Sequence, residues 1–496
     1  MLRVLGSPKR LCDGLTRRDL LHAGAVGLFG LNLTEWASAK VNGLSRPGPH
    51  FGRARACILI YLYGAPSQLE TFDPKPDAPQ DIRGEFGSIE TNVAGLQICE
   101  GLPRLARVMD KFTVLRTVTH PYPIHGVAFA TTGIPTMELA MELSPRDARH
   151  WPFIGSVVDH LDERTQPAPP PLPRNLVLPW SFSSRRVGEV ARAGPYGGFL
   201  GPKYDPVSAE FVGQATVRAR KTLQEQVWED VEPYRGITRE SRFELSALSQ
   251  PSDGLTLDRL DRRRSLLEQF DQARPDLERS LEQSGHARNQ ALAYSLIHSD
   301  RLRRAFDLGA EPDSTRDLYG MTLLGQACLT ARRLIEHGGR FVTVFWDEYG
   351  LAGTGWDTHW DHYPRMRDEL LPALDTTLSG LLIDLDRRGL LDETLVLVLS
   401  EHGRTPKITP GQNGGRDHWS RCYSVLMAGG GVARGRVIGR SDKIASDPVE
   451  RPISPKDILA TTYHLLGIDP QTELRDKQDR PLTLTPTGQV LFDALG

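Results

Sequence analysis

The chain has 496 residues, of which 39% are hydrophobic and 25% charged, with a formal net charge of −2. That balance is ordinary for a soluble protein and gives no general attraction to nucleic acid or to an anionic membrane. The length allows a large core, in one big domain with an insertion or in two domains.

The N-terminus reads as an export signal. Thr16-Arg17-Arg18-Asp19-Leu20-Leu21 precedes an apolar stretch from Ala23 to Leu31, and Ala37-Ser38-Ala39 supplies small residues for cleavage. Residues 1–39 therefore resemble a twin-arginine signal peptide, whose apolar run is too short to span a bilayer. The expectation is a folded protein exported to the periplasm or envelope, with no transmembrane span once the signal is removed.

Further along, apolar or β-branched runs alternate with helical patterns. Ala56 to Tyr63 reads as a buried strand, followed by Thr113 to Val118, Asn175 to Leu178, Arg340 to Trp346, Leu395 to Leu399 and Tyr423 to Met427. Runs apolar on both faces suit strands covered by helices on each side, hence a largely parallel sheet. Leu323, Leu324, Cys328, Ala331, Leu334 and Ile335 keep helical spacing up to Gly338-Gly339. A second stripe runs from Leu370 to Leu385, and Pro455 to Leu466 is a third. These elements predict an α/β fold with a doubly wound sheet flanked by helices, over residues 50–205 and 308–496. Gln166 to Pro173 is Pro-rich and reads as a linker. Residues 206–307 show no clear strand and are rich in Arg, Glu and Gln, so a helical insertion is expected there. The cysteines read as buried free thiols, and Cys328-Leu-Thr-Ala-Arg332 matches a formylglycine signature only faintly.

Four loops at predicted strand ends carry the acids and imidazoles. After the first strand, Ser67, Glu70 and Asp73 can point into a cleft, although Ser67 with Glu70 also has capping-box spacing. After the second come Thr119, His120 and His125 in a Pro-punctuated loop. After Trp346, Asp357 and His359 lie two apart and can share one side of an extended loop, with Asp361-His362 behind them. After Leu399, Glu401-His402 and Asp417-His418 form two acid–imidazole pairs 16 residues apart. The carboxyl ends of strands in open α/β sheets are where ligands bind, and this donor mixture suits a divalent metal. Arg404 and Arg416 have the guanidinium shape that clamps phosphate or sulfate oxygens in pairs.

Several of these motifs together resemble the domain of unknown function 1501 family, exported bacterial proteins abundant in planctomycetes and related to the alkaline phosphatase/sulfatase superfamily. The resemblance covers nearly the whole mature chain. It rests on the twin-arginine start, Gly64-Ala-Pro-Ser-Gln-Leu-Glu-Thr-Phe-Asp73, Gly198-Phe-Leu-Gly-Pro-Lys-Tyr-Asp-Pro206, Gly355-Trp-Asp-Thr-His359, Ser400-Glu-His-Gly-Arg-Thr-Pro406, Gly415-Arg-Asp-His-Trp419 and Leu466-Gly-Ile-Asp469. It implies an alkaline phosphatase-like fold with metal ligands drawn from Glu70, Asp73, Asp357, His359, Glu401, His402, Asp417 and His418. Zinc or manganese is expected before calcium or magnesium. Thr119, His125, Arg404 and Arg416 are the candidate catalytic residues. The chain departs from the superfamily at the nucleophile: Pro123, Ile124 and His125 stand where Ser, Thr or formylglycine is usual. Two functions therefore compete. One is an exported metal-dependent hydrolase of a small anionic ester or a sulfated or phosphorylated glycan; the other is a non-catalytic metal-binding or structural envelope protein.

Overall fold

The computed structural model describes residues 48–496 except 124–126, 135–140, 142–143, 145–146, 148, 167, 169, 180–192, 215–220, 224–225, 229–235, 246–298, 347–354 and 412. The expected signal peptide and His125 lie outside the described residues. The main sheet has nine strands: β1 (Ala56–Leu62), β2 (Phe112–Val118), β3 (Asn175–Leu178), β4 (Val207–Val212), β5 (Arg242–Leu245), β6 (Phe341–Trp346), β7 (Thr394–Leu399), β8 (Tyr423–Ala428) and β9 (Arg436–Ile438). Their spatial order is β9-β2-β8-β7-β1-β6-β3-β4-β5. Neighbours run parallel except where β8 meets β7 and β2 and where β5 meets β4. The expected doubly wound, largely parallel α/β sheet is thus what the chain forms.

The cause is visible in β1, buried at every position. Ile58, Ile60 and Leu62 enter one apolar layer with helices α3 (Leu323–Glu336) and α4 (Leu371–Arg387). The alternate residues Cys57, Leu59 and Tyr61 enter a second layer with α1 (Val127–Thr132), α2 (Ile154–Thr165) and α5 (Pro455–Leu465). A strand with period-two side chains that are apolar on both sides must be covered twice. Helix starts are locally encoded: the Thr322 hydroxyl accepts the Gly325 N–H to cap α3, and Ser454 with Asp457 forms a capping box at α5.

Where it is described, the region expected to be a helical insertion holds strands as well as the helix Asp300–Phe306. Val207, Ala209 and Phe211 alternate with Ser208 and Glu210, and this short period-two pattern makes β4, which pairs with β3 and β5. Phe211 packs on Phe243 across the last pair, with ring centroids 5.6 Å apart. Residues 246–298, the middle of the expected insertion, lie outside the described residues. Cys57, Cys99, Cys328 and Cys422 are buried free thiols; Cys328 lies inside α3, where burial pushes its thiol far above the usual range. Among the described residues no helix is long and apolar enough to cross a membrane.

Candidate metal centre

Three adjacent parallel strands, β6, β1 and β7, end at one edge of the sheet. The turn after β1 lies against the loop that follows β6, and Gly64 permits it. With φ at +98°, a Cβ there would sit 2.3 Å from the Asp357 amide nitrogen, a conformation and an approach that only glycine tolerates. The Gly64 N–H donates to Glu401 Oε1 at 2.8 Å, and the Trp356 N–H donates to the Tyr63 carbonyl at 3.2 Å. Beyond β7 a short antiparallel ribbon, Gly403–Arg404 against His418–Trp419, carries His418 back to the same edge. Gly415 meets the His359 carbonyl so closely that a Cβ would lie 1.8 Å from its oxygen. Backbone contacts thus zip together the loops bearing Asp357, His359 and His418.

There the side chains of Asp357, His359 and His418 converge, one donor atom from each within 4.8 Å of the others. His359 Nε2 is 3.1 Å from His418 Nε2 and 3.0 Å from Asp357 Oδ1; His418 Nε2 is 3.4 Å from the same oxygen. Bonds of about 2.0–2.2 Å at tetrahedral angles would set neighbouring ligand atoms about 3.3–3.6 Å apart, close to these separations. The far ring nitrogens point away: His359 Nδ1 meets Asp417 Oδ1 at 2.7 Å, and His418 Nδ1 meets the Pro123 carbonyl at 3.2 Å. Each partner favours a proton on Nδ1, which leaves Nε2 as a lone pair. Two imidazole lone pairs and a carboxylate facing one another repel unless a cation lies between them. The donor set N, N, O therefore fits a divalent metal, and three protein ligands leave a coordination position open. His359 and His418 are about a quarter exposed, so the position faces solvent.

The remaining candidates are placed around this triad in distinct ways. His402 borders it, with its ring 4.7 Å from that of His418 and its Nδ1 2.8 Å from the Gly403 carbonyl. Asp417 stands behind His359 and orients it. Glu401 is turned toward the β1 turn, accepting the Gly64 N–H and the Ser400 hydroxyl.

Arg404 and Arg416, expected to clamp an anion, are wholly buried. Arg404 donates to the carbonyls of Gly64, Ala65 and Arg416 and to Asp357 Oδ1. Arg416 donates to the carbonyls of Thr405, Pro406 and Ile82 and to Glu70 Oε1. A guanidinium has five N–H groups; four of Arg404's and all five of Arg416's are spent inside the protein rather than offered to a ligand.

Glu70 and Asp73 do not join the triad. Glu70 is fully buried between Arg416 and His362, with His362 Nε2 3.3 Å from its Oε2. Burial pushes the Glu70 carboxyl up, but Arg416 and His362 outweigh it and bring it down to about 2. Burial lowers His362 below its ordinary value despite Glu70. Asp73 accepts from Lys75 at 2.9 Å and from the Ser441 hydroxyl. Thr119, part-buried at the end of β2, donates its N–H to the Ile453 carbonyl. Its neighbour His120 meets the Glu401 carbonyl at 2.8 Å, and burial lowers its ring to about 4.

Two participants escaped the sequence reading. The Pro123 carbonyl that orients His418 is backbone and has no residue signature. The Arg404–Asp357 pair joins residues 47 apart through a buried contact, and nothing in the local sequence of either marks it.

A family profile described as "Protein of unknown function (DUF1501)" matches residues 54–495. No curated protein sequence matches the chain. Among solved structures, the PsFucS1 sulfatase from Pseudoalteromonas sp. is similar at 12% identity and a TM-score of 0.35, over 88% of this chain and 72% of that one. The phosphonate monoester hydrolase SpPMH from Silicibacter pomeroyi is similar at 13% identity and a TM-score of 0.35, over 89% of this chain and 76% of that one. The lipoteichoic acid synthase LtaP from Listeria monocytogenes is similar at 9% identity and a TM-score of 0.36, over 91% of this chain and 80% of that one.

Proposed function

The chain belongs to the DUF1501 family, and from that premise we propose that it is an exported, metal-dependent hydrolase of phosphate or sulfate esters, small or carried on a glycan. The observation that supports this reading best is the convergence of Asp357, His359 and His418, with ring tautomers fixed from behind and one side open to solvent. The two imidazole nitrogens favour zinc over calcium or magnesium, which prefer oxygen, while manganese accepts the mixed set through its carboxylate less strongly. A divalent ion held there would supply Lewis-acid polarisation of an ester oxygen and a water acidic enough to attack at neutral pH. The protein's own part is to hold the two imidazoles neutral and aimed through Asp417 and Pro123, and to keep Asp357 fixed. The motif Thr16-Arg17-Arg18-Asp19-Leu20-Leu21 supports export by the twin-arginine route to the periplasm or envelope.

A second reading, metal binding without turnover, draws on one specific observation. Both arginines suited to neutralise an oxyanion have their donors committed inside the fold. The deciding experiment is metal analysis of the folded protein beside His359→Ala and His418→Ala, coupled to aryl phosphate and aryl sulfate assays. Hydrolysis expects one bound metal and turnover, both lost in the variants. Metal without turnover over a broad ester panel leaves the binding reading, and no metal in any preparation sinks both.

A further inference from the structure

Arg404 cannot reach a ligand directly, yet it touches the one carboxylate of the triad. It donates to Asp357 Oδ1, the oxygen that faces both imidazole Nε2 atoms. Its other donors are fixed by the Gly64, Ala65 and Arg416 carbonyls, and its side chain is fully buried. It therefore cannot swing aside when the triad fills.

The charge of the ligand set follows from this. Asp357 contributes −1, Arg404 beside it +1, and two neutral imidazoles nothing. Asp417 acts from behind His359 with its side chain 60% exposed, where water screens it. Glu401 directs its carboxylate to the Gly64 N–H and the Ser400 hydroxyl instead. Resting on the metal reading above, we propose that Arg404 is the specificity-determining residue of the centre: by offsetting Asp357 it leaves a divalent ion with its charge uncompensated by its ligands, so the ion and an oxyanion bind cooperatively. The guanidinium thus favours an anion through Asp357 and the metal rather than by touching the anion. Such a centre holds metal weakly alone and firmly with an anionic fourth ligand, and by linkage each strengthens the other equally.

The test titrates zinc into the purified full chain against a chromophoric chelator, in sulfate and in perchlorate buffers of equal ionic strength. Zinc affinity should rise about tenfold or more with sulfate, within the usual span of coupling between sites. In Arg404→Gln, zinc alone should bind more tightly than in wild type and the sulfate effect should shrink toward none. A merely structural Arg404 would give the opposite sign, weaker zinc binding with the sulfate effect unchanged, and would overturn the proposal. Should Arg404→Gln fail to fold, the wild-type titrations still decide: zinc binding that is indifferent to sulfate overturns the cooperativity. Absence of zinc binding under any condition refutes the metal reading instead, so the two failures are distinguishable.

Discussion

Two acid–imidazole groups sit close together at the sheet edge, built from the same residue types, and they do opposite things. Asp357, His359 and His418 turn their donor atoms toward one another in a part-exposed position. Glu70 and His362 face one another in a position with no exposure at all, with Arg416 filling the place a cation would take. A carboxylate buried with a guanidinium is a finished ion pair whose partner cannot be removed cheaply. Asp357 is likewise paired with a buried arginine, Arg404, but it also faces two imidazole Nε2 atoms on a part-exposed side, where a cation can enter from outside. The difference lies in what each carboxylate faces besides its arginine: one buried imidazole for Glu70, two part-exposed ones for Asp357.

The sharpest way to separate the two groups is to break each and compare what is lost. Arg416→Met should cost about 3–5 kcal/mol of unfolding free energy, because it leaves Glu70 buried without its cation. Chemical denaturation reads this directly, and a loss under 1 kcal/mol would mean that the pair is not structural. His418→Ala should leave the apo protein's stability nearly unchanged, since the ring is only part-buried. It should instead weaken zinc binding by about 10²–10³-fold, if some 10–16 kcal/mol of zinc binding is divided over four ligands. Competition titration with a chelator measures it, and an unchanged affinity would remove His418 from the centre.

The same comparison explains what could be read from the sequence. Strands such as Ala56–Leu62 and Thr394–Leu399 were legible because burial on both faces demands an uninterrupted apolar run. The strand β4 was not, because Val-Ser-Ala-Glu-Phe-Val is short and is interrupted by Ser208 and Glu210. At the centre, Asp357 and His359 were legible as a two-apart pair after a strand, and His418 as an imidazole on the next loop. Glu70, Asp73, Arg404 and Arg416 looked equally suited, since they lie on the same loops with the same chemistry. What sorted them was pairing across hundreds of residues, as in Arg416 with Glu70, 346 positions apart. Sequence spacing carries no information about such counter-charges.

Acid titration offers a third test, and its sign follows from His120, His362 and Glu70, all held below their ordinary values. His120 titrates at about 4 in the folded chain, below its ordinary 6.5. Between those values the unfolded chain holds the extra proton, so stability falls as pH drops from 6.5 to 4, by about 3 kcal/mol in all. Glu70 falls to about 2 from 4.5. Its contribution is fully present above pH 4.5 and is lost as pH falls from 4.5 to 2, again by about 3 kcal/mol. Denaturation of metal-free protein across pH 7 to 3 should show the first loss, to which the lowered His362 adds in the same direction, and His120→Gln should reduce it. A profile flat from 6.5 to 4 in wild type would contradict the burial of a neutral His120.

The smallest expected effect probes the centre from behind. Asp417 touches no lone pair of the open site; it only accepts from His359 Nδ1 at 2.7 Å and from the Thr409 hydroxyl at 3.3 Å. Carboxylates in this position fix the tautomer and raise the basicity of the ligand nitrogen, and losing one typically costs about 10–100-fold in metal affinity. Asp417→Asn keeps the shape and an acceptor oxygen but removes the charge, so the lower part of that range is expected, with unfolding free energy unchanged because the side chain is mostly exposed. The matching change in the closed group, Glu70→Gln, should do the reverse: it should destabilise the fold by removing the charge opposite Arg416 and leave zinc affinity near wild type. If Asp417→Asn instead lowers stability and Glu70→Gln lowers zinc affinity, the assignment of one group as open and the other as closed is inverted.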